Sequence, residues 1–312
     1  MLQLTTFMVD PLKIWRSEEV KELLELFYTK NFELSGVDIN FAKNIIEKAW
    51  AARSLNPEQI NEAQLEILKL FKLAKSQIKT RVLEKGPLEL IDWSGVNTFL
   101  DIGANKFDTL NYLAHFHKDI EKLIAVDIIP QQGNFRYPEK SEYYQIDLEN
   151  GDIPLLENSI DFINIQFVLH HFQDDQAIRK TLESCKKVLK PNGRLLLWEE
   201  TFVENINIEK LVKVNSKLNI HTDHDLTDKF YKLVDDEKWE FIIINDWIIN
   251  VGNEHMQWTG LYKKWSEWLV LFFEYGFELK MEYNLGLRSN GKLKQGVPML
   301  GIFELKKFHE NQ

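Results

Sequence analysis

Three aspartates stand where side chains can do chemistry together. Asp101, Asp127 and Asp147 each close a short apolar run, in "NTFLDIG", "KLIAVDI" and "EYYQID". A fourth run, "SIDFINIQF", goes out through Gln166 and Phe167. In an open parallel sheet, ligands bind outside the carboxyl ends of the strands. If these runs are neighbouring strands, they bring three carboxylates and an amide to one rim. A negative rim suits a ligand offering hydroxyl, amino or cationic groups, and suits a bare phosphate poorly. The first run passes through Gly103 into "ANKFDTL", which reads as a strand, a tight turn and a helix.

The elements that must position these residues follow from periodicity. Between 95 and 200, the apolar runs and "GRLLLWEE" alternate with the amphipathic stretches "FDTLNYLAHFHKD" and "DDQAIRKTLESCKKVLK". Strand and helix in alternation give βαβ units and a parallel sheet, and nearly continuous apolar strands suit a sheet covered on both faces. "KPNG" reads as a stop for the second helix. The last runs, "YGFELKMEYNLG" and "VPMLGIFELKK", read as an antiparallel pair at the sheet edge. The fold expected is α/β, a Rossmann-like seven-stranded and mostly parallel sheet with an antiparallel edge hairpin and an N-terminal helical cap.

The cap is residues 1–90. Ser17 is placed to N-cap "EEVKELLELFYTK". Asn56, with Pro57 at N1 and Gln59 at N3, makes a capping box. Behind it Ile60, Ala63, Ile67, Leu70, Phe71 and Ala74 recur at helical steps as one stripe that needs a partner surface. Residues 91–312 form the second unit, with a polar and aromatic-rich insertion at about 201–270. That stretch is too long for a loop and carries its own helices.

Bulk properties narrow the function. The chain has 312 residues and a formal net charge of -10, from 48 acids against 38 bases. A net acidic chain is a poor non-specific binder of nucleic acid or of anionic membrane, so neither is expected as a partner. The N-terminus lacks the basic region and long apolar stretch of a signal peptide. No run approaches membrane-spanning length, and a cytoplasmic protein is expected. The lone Cys185 lies on an apolar helix stripe and reads as a core thiol. One cysteine makes neither a disulfide nor a cysteine-based zinc site, and no metal is expected. Oligomeric state is not legible.

"FLDIGAN", "AVDI", "YQIDLENGDIPLLENSIDFINIQFVLHHF", "VLKPNGRLLLWEE" and "YKKWSEWLVLFFEYGFE", in that order and spacing, resemble the class I S-adenosylmethionine-dependent methyltransferases. The resemblance implies S-adenosyl-L-methionine as cofactor and S-adenosyl-L-homocysteine as product. It implies that Gly103 lets the backbone approach the methionine part, and that Asp101 orders that turn or receives the amino group. Asp127, with Ile128 beside it, would accept the ribose hydroxyls. Asp147 would accept the adenine amino group, with Leu148 beside the ring. Gln166 and Phe167 would lie near the sulfonium end. The family often has glycines where this chain has Asn105 and Phe107. Asparagine tolerates a left-handed backbone best after glycine, so the turn can survive at Asn105, while Phe107 is expected inside the helix. His170 and His171 of "VLHHF" take a structural place at the start of a helix.

The acceptor side is read from the insertion. A hydroxyl acceptor needs a base near neutral pH, and histidine serves best. "HTDHDLTD" resembles the His-Asp segment of some O-methyltransferases. His224, flanked by Asp223 and Asp225, is the leading candidate base, or else it caps the helix "LTDKFYKLV"; His221, His255 and Glu200 are further candidates. A carboxylate acceptor would need no base. The expected reaction is methyl transfer to a hydroxyl or carboxylate oxygen of a biosynthetic small molecule, a carrier-bound acyl chain or a peptide. Two other classes stay open. One is a methyltransferase-like binding or scaffold protein without turnover. The other is an NAD-dependent oxidoreductase, against which the absent G-x-G-x-x-G counts, since a pyrophosphate needs that close backbone approach.

Overall fold

The computed structural model describes residues 11–78, 87–105, 107–130, 140–251, 260–289 and 297–306. The N-terminal helices are α1 (Pro11–Ile14), α2 (Glu18–Leu34), α3 (Asn40–Ala52) and α4 (Pro57–Ser76). The starts of α2 and α4 are set by side chains. Ser17 accepts from the Val20 N–H, and Asn56 and Gln59 satisfy each other's backbone N–H in a capping box.

The sheet is built from β1 (Thr98–Ile102), β2 (Lys122–Asp127), β3 (Ser141–Gln145), β4 (Ile160–Gln166), β5 (Leu189–Glu200), β6 (Phe277–Asn284) and β7 (Pro298–Leu305). Among the described residues these seven strands form one sheet in the order β3-β2-β1-β4-β5-β7-β6. The pairs from β3 to β5 are all parallel, and β7 runs antiparallel to both β5 and β6. The strand order reverses between β1 and β4, so the carboxyl ends of β1, β2 and β4 open onto one crevice.

Helices cover both faces. α5 (Asp108–Phe116) lies on one side, and α6 (Asp175–Val188) and α10 (Trp265–Glu274) on the other. Alternation along single strands divides the core accordingly. Ile124, Val126, Leu195 and Leu197 face the α6 and α10 side, while Leu123, Ala125, Leu196 and Trp198 face the α5 side.

A third core is mostly helical. α8 (His224–Lys232) and α9 (Asp235–Ile249) lie in the expected insertion, after α7 (Ile208–Lys217). Phe230, Phe241, Ile244 and Trp247 from α8 and α9 pack with Phe27, Tyr28, Ile45 and Phe71 from the N-terminal helices. This is the partner surface for the α4 stripe. Ile67, Phe71 and Ala74 are buried in it, and Ile60, Ala63 and Leu70 pack against it half-buried.

Two local expectations differ from the structure. "KPNG" is not a helix stop. α6 ends at Val188 and the chain turns straight into β5, where Lys190–Gly193 form an irregularity between the Ile160↔Leu189 and Phe162↔Arg194 pairings. A Cβ on Gly193 would come within 2.6 Å of the Leu189 side chain and 2.8 Å of the Lys190 carbonyl, so the glycine lets the strand bulge. Phe107 is not inside α5. It precedes the helix with a left-handed backbone, φ 59°, and its ring is buried against Tyr143. Among the described residues no helix is long and apolar enough to cross a membrane.

Candidate active site

The crevice at the switch point is a cavity of about 380 Å³. All nine residues expected on the cofactor side line it: Asp101, Gly103, Asn105, Asp127, Ile128, Asp147, Leu148, Gln166 and Phe167.

The β1–α5 turn is held by its neighbours. The Gly103 N–H donates to the Val126 carbonyl at 2.8 Å, and the Asn105 N–H to Asp127 Oδ2 at 2.7 Å. Gly103 has φ +72°, and a Cβ there would sit 2.2 Å from Val168 Cγ2. Asn105 also takes a left-handed φ of 43°. One glycine and one asparagine therefore make the turn, with Asp127 as its clamp. The other Asp127 oxygen accepts from the Ile129 N–H at 3.0 Å.

Asp101 is buried beneath the turn and accepts from Asn164 Nδ2 at 2.6 Å. Burial pushes its pKa up to about 7, against the lowering pull of Asn164 and with added repulsion from Asp127. Asp147 lies two residues past β3 and accepts from the Glu149 N–H at 3.0 Å and from Asn150 Nδ2 at 2.7 Å.

The far end of the cavity is lined by His170, His171, Phe172, Glu200, Asp246, Ile249 and Asn250. The histidines sit in a short 3₁₀ turn after β4, and Glu199 and Glu200 end β5. Glu199 is fully buried and ties the two together. Its Oε1 accepts the Val168 and Leu169 N–H groups, and its Oε2 lies 2.5 Å from His170 Nδ1. Asp246 comes from α9. Its Oδ2 is 3.8 Å from His170 Nε2 and 3.9 Å from His171 Nε2, and accepts from the Tyr262 hydroxyl at 2.7 Å. Asn250 donates to its Oδ1, also at 2.7 Å.

Burial alone would lower the His170 pKa, but Glu199, Asp246 and Glu200 outweigh it and hold the ring at about 9. Burial raises the Asp246 carboxyl above the usual carboxylate range, against the pull of His170. The whole lining carries seven carboxylates (Asp101, Asp108, Asp127, Asp147, Glu149, Glu200 and Asp246) and, among the described residues, no lysine or arginine. The cavity is built for a cationic ligand.

Residues 100–197 match the family model of the methyltransferase domain. The match runs from β1 into β5, over the strand ends that frame the cavity. The chain carries a class I S-adenosylmethionine-dependent methyltransferase domain. Its cofactor is S-adenosylmethionine. The strand-end carboxylates and the absence of lysine or arginine from the described lining fit that sulfonium cation. No curated protein matches this sequence. Among solved structures, the methyltransferase chain is similar to a SAM-dependent methyltransferase from Aquifex aeolicus, at 15% identity over 70% of this chain and 87% of that one, TM-score 0.43. It is similar to the N-methyltransferase NodS from Bradyrhizobium japonicum, at 13% identity over 68% and 79%, TM-score 0.41. A SAM-dependent methyltransferase from Methanosarcina mazei matches at 15% identity over 72% and 99%, TM-score 0.44.

The structure separates the four catalytic candidates. His224 stands exposed on the first turn of α8 and does not line the methyltransferase cavity. Asp223, expected to orient it, instead N-caps α8 through the Leu226 N–H and pairs with Lys30 and Ser289. His221 is exposed, 3.3 Å from the Ser289 hydroxyl, and also lies off the cavity. His255 falls outside the described residues. Of the four candidates, Glu200 is brought to the cavity. His170, His171 and Asp246 were not singled out as reactive. The adjacent histidines directly after β4 were the available signal. Asp246, inside the apolar "IIINDWII", offered one too, as an acid where no solvent face is apparent.

Proposed function

We propose that this chain transfers a methyl group from S-adenosylmethionine to a hydroxyl oxygen of a small, partly apolar acceptor. The observation that carries the reading is a single cavity with carboxylates at the β1–β3 end and a histidine–carboxylate cluster at the other. A hydroxyl must lose its proton as it is methylated, and the cluster is where such a proton can go. Glu200, buried at the end of β5, is the proton acceptor in this reading. A carboxylate acceptor would have to enter among seven acidic side chains, where the described lining has no lysine or arginine and the cationic ring of His170 is already paired with Glu199, and is disfavoured on electrostatic grounds. Small-molecule, carrier-bound and peptide acceptors all present hydroxyls, and the apolar walls from Phe167, Phe172 and Ile249 set the preference for a partly apolar one.

When bound, S-adenosylmethionine supplies an electrophilic methyl group on a sulfonium. In this proposal Gly103, Asn105 and Asp101 hold the methionine part, and Asp127 with Ile128 accepts the ribose hydroxyls. Asp147 and Leu148 meet the adenine, and Gln166 and Phe167 approach the sulfonium. The protein's main work is alignment and exclusion of water. α9 forms part of the wall through Asp246, Ile249 and Asn250, and α9 is itself packed on α2. The N-terminal helices thereby act as a lid support for the acceptor end.

The test is calorimetric titration with S-adenosylmethionine and with NAD, followed by transfer of a labelled methyl group to hydroxyl, amine and carboxylate acceptors. S-adenosylmethionine should bind, NAD should not, and label should appear on oxygen. Asp127→Ala should weaken cofactor binding by roughly 1.5–3 kcal/mol, the scale of a lost charged hydrogen bond. Label found only on nitrogen or carbon would refute the oxygen acceptor.

A further inference from the structure

We propose that His170, His171 and Asp246 form a binding site for one divalent transition-metal ion at the acceptor end of the cavity. One ligand atom from each residue lies within 4.8 Å of the other two. With the carboxylate oxygen 3.8 and 3.9 Å from the two imidazole nitrogens and all three donors within 4.8 Å of one another, an ion at the centre of the triangle would sit at most about 2.5 Å from each donor. That is a few tenths of an ångström beyond the roughly 2.0–2.2 Å of zinc–histidine and zinc–carboxylate bonds. Small rotations of the side chains close that gap.

The support around the triangle is what a metal site needs. A ligating histidine usually gives its other ring N–H to a carboxylate, which fixes the tautomer and aims the second nitrogen. Glu199 does this for His170, from a fully buried position whose second oxygen is already committed to two backbone N–H groups. Asp246 is likewise held, by Asn250 on one oxygen and Tyr262 on the other. His171 packs against His170 with ring centroids 4.0 Å apart. The surrounding field favours a cation, since Glu199 and Glu200 stand beside the triangle and no lysine or arginine is among the described lining. Two imidazoles and one carboxylate select zinc, iron(II) or a similar ion over magnesium or calcium, which prefer all-oxygen sites.

Three protein donors leave coordination positions open toward the cavity. An acceptor oxygen bound there would be polarised by the ion, and its O–H proton would leave more readily. The ion's role in the reaction rests on the methyl-transfer reading above; its binding does not, and can be measured without any acceptor.

The experiment uses the full chain stripped with a chelator and titrated with Zn²⁺ or Co²⁺ alone. One ion per chain should bind, Mg²⁺ should not compete, and Co²⁺ should give visible absorption bands of a nitrogen–oxygen site. His171→Ala and Asp246→Asn should each weaken Zn²⁺ at least tenfold, while unchanged S-adenosylmethionine affinity shows that they still fold. His224→Ala should bind the ion like the parent. Zn²⁺ affinity untouched by either substitution, or no stoichiometric uptake, would overturn the site. If the stripped protein binds S-adenosylmethionine and methylates at full rate, the ion's role in the reaction is overturned and the methyl-transfer reading stands. If Zn²⁺ binds but S-adenosylmethionine does not, the metal site stands and that reading fails.

Discussion

Glu199 fixes the ring of His170. One carboxylate oxygen lies 2.5 Å from Nδ1, and the other takes the backbone N–H groups of Val168 and Leu169, so ring and turn are held by one buried group. Glu199 also ends β5, which pairs with β4 up to Gln166↔Trp198. The sheet's own register therefore positions the acceptor end of the cavity. Glu199→Gln keeps the shape but weakens the grip. Acceptor turnover should fall about 10–100-fold, the usual cost of removing such a supporting carboxylate, with cofactor affinity unchanged. A steady-state comparison of kcat and KM checks it, and an unaltered kcat would remove Glu199 from any positioning role.

Gly103→Ala tests the single-glycine turn. The added methyl meets Val168 Cγ2 at 2.2 Å and the backbone must keep φ +72°. The strain should cost about 1–3 kcal/mol and appear as a lower Tm and weaker S-adenosylmethionine binding. The double variant Gly103→Ala/Val168→Ala relieves the clash but not the dihedral, so recovery should be partial. Full cofactor affinity in the single variant would mean that the close approach at Gly103 is unnecessary.

Much of this was legible in the sequence, for local reasons. The N-caps at Ser17 and Asn56 depend on residues three positions apart, and the strand–helix alternation depends on periodicity, so both can be read without the fold. Phe107 could not. Its left-handed backbone goes with a ring buried against Tyr143, a residue of β3 distant in the sequence. The meeting of His170 with Asp246 spans α6, β5, α7 and α8, and α9 buries polar side chains such as Glu240 and Asn245 along with apolar ones, so its sequence does not say which way Asp246 points. In the sequence the acids flanking His224 look like orienting partners. Asp223 is instead occupied by the helix N-terminus, Lys30 and Ser289.

Asp101 should give the cofactor-free protein a distinctive pH dependence. Burial raises its folded pKa to about 7 from an ordinary 3.8. Between those values the folded state holds a proton that the unfolded state has released. The stability associated with this group is therefore complete below about pH 4, and falls as pH rises toward 7. The shift corresponds to an upper bound of about 4 kcal/mol. Asp101→Asn retains a carbonyl oxygen for Asn164 Nδ2 and cannot ionise. Denaturant unfolding from pH 4 to 8 should show a declining arm in the parent that is reduced in this variant. Parallel curves for the two proteins would show that Asp101 is not the titrating group.

Glu200 and His224 make opposite predictions, because one faces the cavity and the other faces solvent. Glu200 is buried beside the acceptor end, whereas the His224 ring lies 3.3 Å from Asp225 on the exposed start of α8. A general base contributes about a hundredfold to ten-thousandfold in rate. Glu200→Gln, nearly isosteric and unable to take a proton, should lower kcat on that scale while S-adenosylmethionine affinity stays near the parent value. His224→Ala should leave both kcat and affinity unchanged, since a solvent-facing side chain off the cavity can neither reach the acceptor nor shape its pocket. The two variants are best measured side by side on one hydroxyl acceptor. A large loss of kcat in His224→Ala, with little in Glu200→Gln, would reverse the assignment and require α8 to close over the cavity during turnover.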